Sequence, residues 1–151
     1  MKSVLIVYHS QSGTCARLAM ALRDGAAAEE GARVDVLRAW DAGTRDLVAA
    51  DGVLLVMAEN SGALCGAMKD FLDRTLYPAI DRGVVIPYAL LISAGNDGRN
   101  AARQAQRILS GYPLVAAAEP LLLRGEFSQA HGGSARELGQ AFAAGLAMGI
   151  F

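Results

Sequence analysis

Val4-Leu5-Ile6-Val7-Tyr8-His9-Ser10-Gln11-Ser12-Gly13-Thr14-Cys15 changes character twice within a short span. It opens as an apolar, β-branched run, the signature of a strand buried on both faces. It then crosses a loop of small hydroxyl residues with one glycine. Leu18, Ala19, Leu22 and Ala26 follow at spacings of three and four, which is helical periodicity. Strand, polar loop and helix in that order direct free backbone N–H groups and the positive end of a helix dipole toward an anion. Ser10, Ser12 and Thr14 add hydroxyl donors. The loop therefore suits a phosphate gripped without a cationic side chain.

Three other phosphate motifs are excluded by spacing. A P-loop requires a lysine after its second glycine, and none follows Gly13. A dinucleotide fingerprint requires three glycines, and Gly13 stands alone. A cysteine phosphatase loop starts with its nucleophile, whereas Cys15 closes this loop with Arg17 only two residues on. A serine-rich turn that simply ends a strand is the plain structural alternative.

The chain has 151 residues, a size that predicts a single domain over 1–151 with a core of its own. Hydrophobic residues make up 53% and aromatic residues 6%, so Ala, Leu and Val must fill the interior. The net charge of −1 gives no electrostatic case for nucleic acid. Cys15 and Cys65 form no metal-ligand pattern and no disulfide framework. A reducing cytoplasm is the expected location. No apolar run reaches membrane-spanning length, and a first strand near residue 3 leaves no room for a signal peptide.

Taken in order, strands are predicted at 3–8, 34–37, 53–57 and 84–93, with an interrupted last strand over 113–123. Helices are predicted at 13–29, from Leu64 to a stop before Pro78, at about 99–110 and at about 134–148. The span from Trp40 to Ala50 reads as a connection with about one helical turn before Asp51-Gly52. Strands alternating with helices imply a doubly wound α/β fold: a five-stranded parallel sheet of order 2-1-3-4-5 with helices on both faces. In such sheets the ligand lies beyond the carboxyl ends of the strands, at the switch point between the first and third. Three loops should meet there. The first is Ser10, Gln11, Ser12, Gly13, Thr14 and Cys15; the second includes Glu59, Asn60, Ser61 and Gly62; the third includes Gly95, Asn96 and Asp97. Ordinary βα turns are the alternative for the last two.

The hydroxyl-rich first loop resembles the phosphate-binding loop of flavodoxin-like FMN proteins, with Ser10, Ser12, Gly13 and Thr14 carrying the likeness. The run from Glu59 through Met68, Lys69, Asp70, Phe71 and Leu72 to Asp73, Arg74 and Thr75 is similar to a segment of short flavodoxin-like NAD(P)H-dependent FMN oxidoreductases. The Gly95-Asn96-Asp97-Gly98 turn resembles the same group. The resemblance covers roughly residues 2–123. It implies FMN as cofactor, with the thirteen loop residues named above around it. It implies NAD(P)H as electron donor, a small acceptor such as a quinone or free flavin, and a possible homodimer. No protein acid or base is required, since the flavin carries the hydride. Neither the second nor the third loop holds an aromatic residue. Ring stacking would fall to Trp40, Tyr112 or a neighbouring subunit, or be absent, which fits a loosely held flavin. Two rival readings stand beside the oxidoreductase: a flavodoxin-type electron carrier, and a binding module that keeps the fold without the cofactor.

Several residues carry two readings each. Glu59 and Asp97 either flank the flavin or cap the turn or helix that follows. Cys15 is either a reactive thiol at a helix N-terminus or a packing thiol, and Cys65 is a packing thiol. His9 either touches a phosphate or ribityl chain or makes a structural bond, and His131 falls in a Gly-rich turn. Arg99, Arg103 and Arg107 share one helix face, which is either solvated or attracts an NADPH phosphate. Lys69–Asp73 and Asp70–Arg74 are spaced as helix-surface ion pairs.

Overall fold

The computed structural model describes residues 1–151. Its central strands are the apolar runs of the sequence. β1 (Lys2–Tyr8) and β3 (Gly52–Asn60) pair in parallel, Val4 opposite Gly52 and Tyr8 opposite Val56. β2 (Ala32–Arg38) lies on the other side of β1, also in parallel. β5 (Pro87–Ala94) lies on the far side of β3, again in parallel. Two short strands complete that edge. β6 (Val115–Ala116) pairs with the start of β5 and β7 (Leu121–Arg124) with its end. Pro120 lies in the break between them, where a ladder N–H is not needed. They form the interrupted last strand of the expected 2-1-3-4-5 order, which the sheet realises as β2-β1-β3-β5-β6/β7.

The helices divide between the two faces. α1 (Thr14–Ala27) and α5 (Gln129–Ala147) cover one face through Leu18, Leu22, Ala135, Phe142 and Leu146. α2 (Thr44–Ala49), α3 (Gly66–Asp81) and α4 (Arg99–Leu109) cover the other through Leu47, Met68, Phe71, Ala101 and Ala105. α1 and α5 cross with no room for side chains between them. A Cβ on Gly139 would stand 2.1 Å from the Leu22 carbonyl oxygen, and one on Gly25 would stand 1.9 Å from that of Arg136. This crossing fixes α1, and with it the loop at the N-terminus of α1.

Among the departures from the sequence-based boundaries, four are the largest. First, α3 does not stop before Pro78 but runs to Asp81. Pro78 removes the helix bond to the Arg74 carbonyl. Both residues lie on the exposed face, so that carbonyl reaches water, while Ala79 behind them stays buried in the core. Second, the segment expected as a loop at 59–62 is a hairpin. β3 continues to Asn60 and pairs antiparallel with β4 (Ala63–Leu64). Its turn residues Ser61 and Gly62 have φ of 50° and 75°, the two positive values of a tight hairpin turn. Third, β5 begins at Pro87, not at 84. The Val84 N–H is used by the Ala79 carbonyl at 3.0 Å, closing the end of α3. Fourth, α5 starts at Gln129, so His131 is in its first turn and not in a loop. The Ser128 hydroxyl accepts from the His131 N–H at 3.1 Å as an N-cap. Gly132 makes room there for Phe127, whose ring a Cβ at this position would meet at 3.1 Å.

Candidate functional site

The three loops predicted to converge do so at the carboxyl ends of β1, β3 and β5. Between them lies a cleft of about 350 Å³ lined by Ser12 and Thr14, by Ala58, Glu59 and Asn60, and by Ser93, Ala94 and Gly95. Gly125 and Glu126, from the turn between β7 and α5, close its fourth side.

The first loop is built to present donors. Gly13 is the N-cap of α1 and adopts φ 104°, a left-handed conformation that favours glycine. The first helical bond of α1 is Arg17 N–H to the Gly13 carbonyl, at 3.1 Å. Thr14, Cys15 and Ala16 therefore have no intrahelical partner for their N–H groups. No side chain caps this end, and no acid lies in the first turn. The Ser10 hydroxyl folds back to accept from the Gly13 N–H at 3.0 Å, which shapes the loop. Ser12 and Thr14 face the cleft. Gln11 is exposed at the tip and lines no part of it. Arg17, one turn into α1, stacks its guanidinium over the Phe127 ring at 3.9 Å. That contact ties the first loop's helix to the fourth wall.

Cys15 does not reach the cleft. Its side chain is 3% exposed and packs in the core under α1. Burial pushes its thiol up to about 12; the nearby Cys65 adds to this, and a hydrogen bond with Ser93 opposes it. The packing-thiol reading holds, and only the Cys15 backbone remains on the loop. Cys65 is buried in the other half of the core.

Glu59 lines the cleft, but its carboxylate is engaged. Oε1 accepts from the Gly98 N–H and Oε2 from the Ala101 N–H, both at 3.0 Å. Gly98 is the N-cap of α4 and has no capping side chain of its own. Glu59 thus supplies the cap from another element. Two further side chains of α4 grip the same hairpin: Asn100 Nδ2 donates to the Gly62 carbonyl at 2.5 Å, and Gln104 Oε1 accepts from the Leu64 N–H at 2.7 Å. Asn60 keeps its place on the cleft wall, while Ser61 and Gly62 are exposed at the hairpin tip and line none of it.

In the third loop, Gly95 lines the cleft and Asn96 and Asp97 do not. Asp97 Oδ1 accepts from Arg99 Nε at 2.7 Å, and Arg124 Nε donates to the Asp97 carbonyl at 2.7 Å. The hydrogen bond from the Arg99 side chain, with that from its backbone, holds the Asp97 carboxyl below the usual range. Asp97 is therefore a turn anchor between two arginines.

Neither proposed stacking residue of this chain lies in the cleft. Tyr112 is buried beside α3, its hydroxyl 2.7 Å from Thr75 Oγ1 and donating to the Leu72 carbonyl. Trp40 is 57% exposed but lies on the opposite side of the first loop. There, with Tyr8, His9, Ser10 and Arg38, it borders a separate cleft of about 320 Å³. The His9 ring meets Trp40 edge-on at 6.0 Å. Arg74 holds the Trp40 segment in place by donating to the carbonyls of Ala39 and Ala42.

Comparison with solved structures agrees with this architecture. A flavodoxin from the domain Archaea superposes with a TM-score of 0.81 at 17% identity, over 95% of this chain and 98% of that one. A WrbA-like flavodoxin from Agrobacterium tumefaciens gives 0.78 at 18% identity, over 97% and 98%. The flavodiiron protein from Giardia intestinalis gives 0.82 at 16% identity, over 99% of this chain and 37% of that one.

The chain has the flavodoxin-like fold. No family model and no curated protein matches its sequence.

Within this flavodoxin-like frame, the sequence reading omitted one wall of the cleft. Ser93 is the penultimate residue of β5, and Gly125-Glu126 follows β7. The same rule that located the first three loops, ligand beyond the carboxyl ends of the strands, extends to the fifth strand and would have found that wall. No cluster of three or more His, Cys, Asp or Glu residues in the structure is arranged to hold a metal ion. No helix is long and apolar enough to cross a membrane.

Proposed function

We propose that the chain binds FMN across this cleft, phosphate on the first loop. With FMN bound, it acts as an NAD(P)H-dependent oxidoreductase toward a small acceptor such as a quinone or free flavin. The observation that carries the reading is the uncapped N-terminus of α1, opening with Ser12 and Thr14 onto the same cleft as the ends of β3 and β5. The donor set fits a phosphate dianion: N–H groups and hydroxyls on a helix dipole, with no competing acid in the first turn. The ring end has backbone and amide groups available, with Asn60 and Gly95 at its sides. It has no aromatic wall, which fits a flavin held mainly by its phosphate.

Bound FMN would supply the hydride chemistry, and the protein would position it. Ser12, Thr14 and the α1 amides would hold the phosphate. The Asn60 amide would face the polar edge of the ring. Glu59 would act indirectly, by fixing the hairpin that carries Asn60. The carrier reading draws support from the full-length match to flavodoxins, whose chains are covered to 98%. The net charge of −1 counts mildly against it, since an electron carrier of that type usually presents a strongly acidic face to its protein partner.

Two titrations decide between these readings. Saturable quenching of FMN fluorescence by the flavin-free protein, with riboflavin bound far more weakly, supports the phosphate placement. No affinity for FMN up to high micromolar rejects it and leaves the cofactor-less module. Anaerobic addition of NADPH or NADH to the FMN-loaded protein should then bleach the flavin. Failure to bleach leaves the carrier.

A further inference from the structure

Beyond the β3–β4 hairpin lies a groove whose chemistry differs from that of the cleft. It measures about 400 Å³ and is lined by Ala63, Leu64, Lys69, Gln104, Arg107 and Ile108. Leu64 and Ile108 are half-buried against the core and give it an apolar floor. Lys69 and Arg107 give it a cationic rim. Lys69 Nζ is 2.7 Å from Asp73 and partly neutralised. Arg107, exposed in the last turn of α4, joins none of the ion pairs of the molecule. Arg103 stands one turn before it, equally unpaired. No acidic residue occurs between 98 and 118, so α4 itself brings no negative charge to the groove, and the one acid at the rim is Asp73, already paired with Lys69.

Groove and cleft share the hairpin as a common wall. Asn60 lines the cleft, its cross-strand partner Ala63 lines the groove, and the exposed Ser61–Gly62 tip lies between. Glu59, Asn100 and Gln104 bind the hairpin to α4, so the two sites keep a fixed separation. Two paired strands lie about 5 Å apart, a width that a pyrophosphate bridge spans. The cleft itself has two carboxylates on its walls and no cation, and offers nothing to a second phosphorylated group. The groove offers an apolar floor for a base and cations for a dianion.

We propose that this groove seats the adenosine end of a nicotinamide dinucleotide, with Arg107, supported by Lys69 and Arg103, binding the 2′-phosphate that distinguishes NADPH from NADH. The inference rests on the NAD(P)H reading above. The dinucleotide crosses the small, exposed hairpin tip and delivers its nicotinamide to the Asn60 side of the cleft. Arg107 is a binding and specificity residue, remote from the reacting atoms.

The test needs no flavin. The full chain is titrated calorimetrically with 2′,5′-ADP and, in parallel, with 5′-AMP, and the amide resonances are followed by NMR. The expected result is a preference of about tenfold or more for 2′,5′-ADP, the scale of one charge-assisted contact, with shifts centred on 63–64 and 104–108. Arg107→Glu should abolish the preference, and the milder Arg107→Gln should reduce it. Arg23→Glu, the same charge change on α1 across the sheet, should leave it intact. Equal affinity for the two nucleotides, no binding of either, or a preference that survives Arg107→Glu would overturn the proposal. FMN affinity is measured separately, so loss of the flavin reading and loss of this one are distinct outcomes.

Discussion

Shortening or neutralising Glu59 separates two physical accounts of the hairpin. In the first, two hydrogen bonds hold it. The carboxylate accepts from Gly98 and Ala101 at 3.0 Å each, and the other side chain that accepts at this end of α4 is Asp97, from the Arg99 N–H at a longer 3.3 Å. Hydrogen bonds to a charged group contribute roughly 1.5–3 kcal/mol each, while loss of an N-cap costs about 0.5–2 kcal/mol. Glu59 is half-buried, so water replaces part of what is lost, and Glu59→Ala should cost about 2 kcal/mol. Glu59→Gln keeps one acceptor and should cost about 1 kcal/mol. Glu59→Asp keeps the charge but is about 1.5 Å too short, and should behave like Ala. In the second account only the charge near the helix dipole matters, worth about 0.3–1 kcal/mol, and Asp would match Glu. Urea unfolding measures the order directly, and the Ala variant should melt about 5 °C lower. An Asp variant as stable as wild type, or an Ala variant within about 0.5 kcal/mol of it, the scale of an ordinary surface substitution, would refute the two-bond account. With the bonds gone, the hairpin that carries Asn60 is held to α4 only through Asn100 and Gln104, so FMN affinity should fall in the Ala and Asp variants more than in Gln.

Ser12→Glu should abolish FMN binding without lowering the melting temperature, since it places a carboxylate in the phosphate seat; unchanged affinity would show the seat lies elsewhere. Gly139→Ala sets two effects against each other. Helix propensity favours Ala by about 1 kcal/mol, but the new Cβ would stand 2.1 Å from the Leu22 carbonyl oxygen; overpacking costs about 1–3 kcal/mol or more, so net destabilisation is expected, and a stabilised variant would refute the crossing. The Cys15 thiol has its ordinary value of 9.0 when unfolded and about 12 when folded. The folded protein keeps a proton that the unfolded chain releases, so this contribution is intact below about pH 9 and is lost as pH rises toward 12. Cys15→Ala should flatten the alkaline decline in thermal stability, and the native thiol should resist a disulfide reagent at pH 8 until the protein unfolds.

What the sequence makes legible is whatever repeats along the chain or sits beside its own partner. Val4–Val7 and Val53–Met57 are continuous apolar runs and appear as central strands. Asp70–Arg74 and Lys69–Asp73 lie one helical turn apart and pair at 2.7 Å as spaced. The meeting of the first three loops follows from strand order alone. Features decided between distant elements are not legible in the same way. Glu59 reads equally as a cleft acid or a local cap, because its true partners lie 39 and 42 residues on. Gly139 reads as a weak helix residue until Leu22 is placed against it. The α3 terminus is misread because Pro78 is a strong local stop signal, and only the burial of Ala79 shows why the helix continues.

The composition of the cleft also sets how a flavin would be held there. Each aromatic contact to a ring contributes about 0.5–1.5 kcal/mol beyond area burial. Two missing walls therefore forgo about 1–3 kcal/mol, a complex weaker by about fivefold to 150-fold. Trp40 cannot restore this, because the first loop stands between it and the cleft, and Tyr112 is fixed inside the core. Nearly all the directional donors belong to the phosphate end. Discrimination between FMN and riboflavin should then be large even where FMN affinity is modest. A flavin gripped at one end and free at the other exchanges readily. That property serves an enzyme that hands reduced flavin or a small quinol to solution better than it serves a carrier that must keep its cofactor from one protein partner to the next.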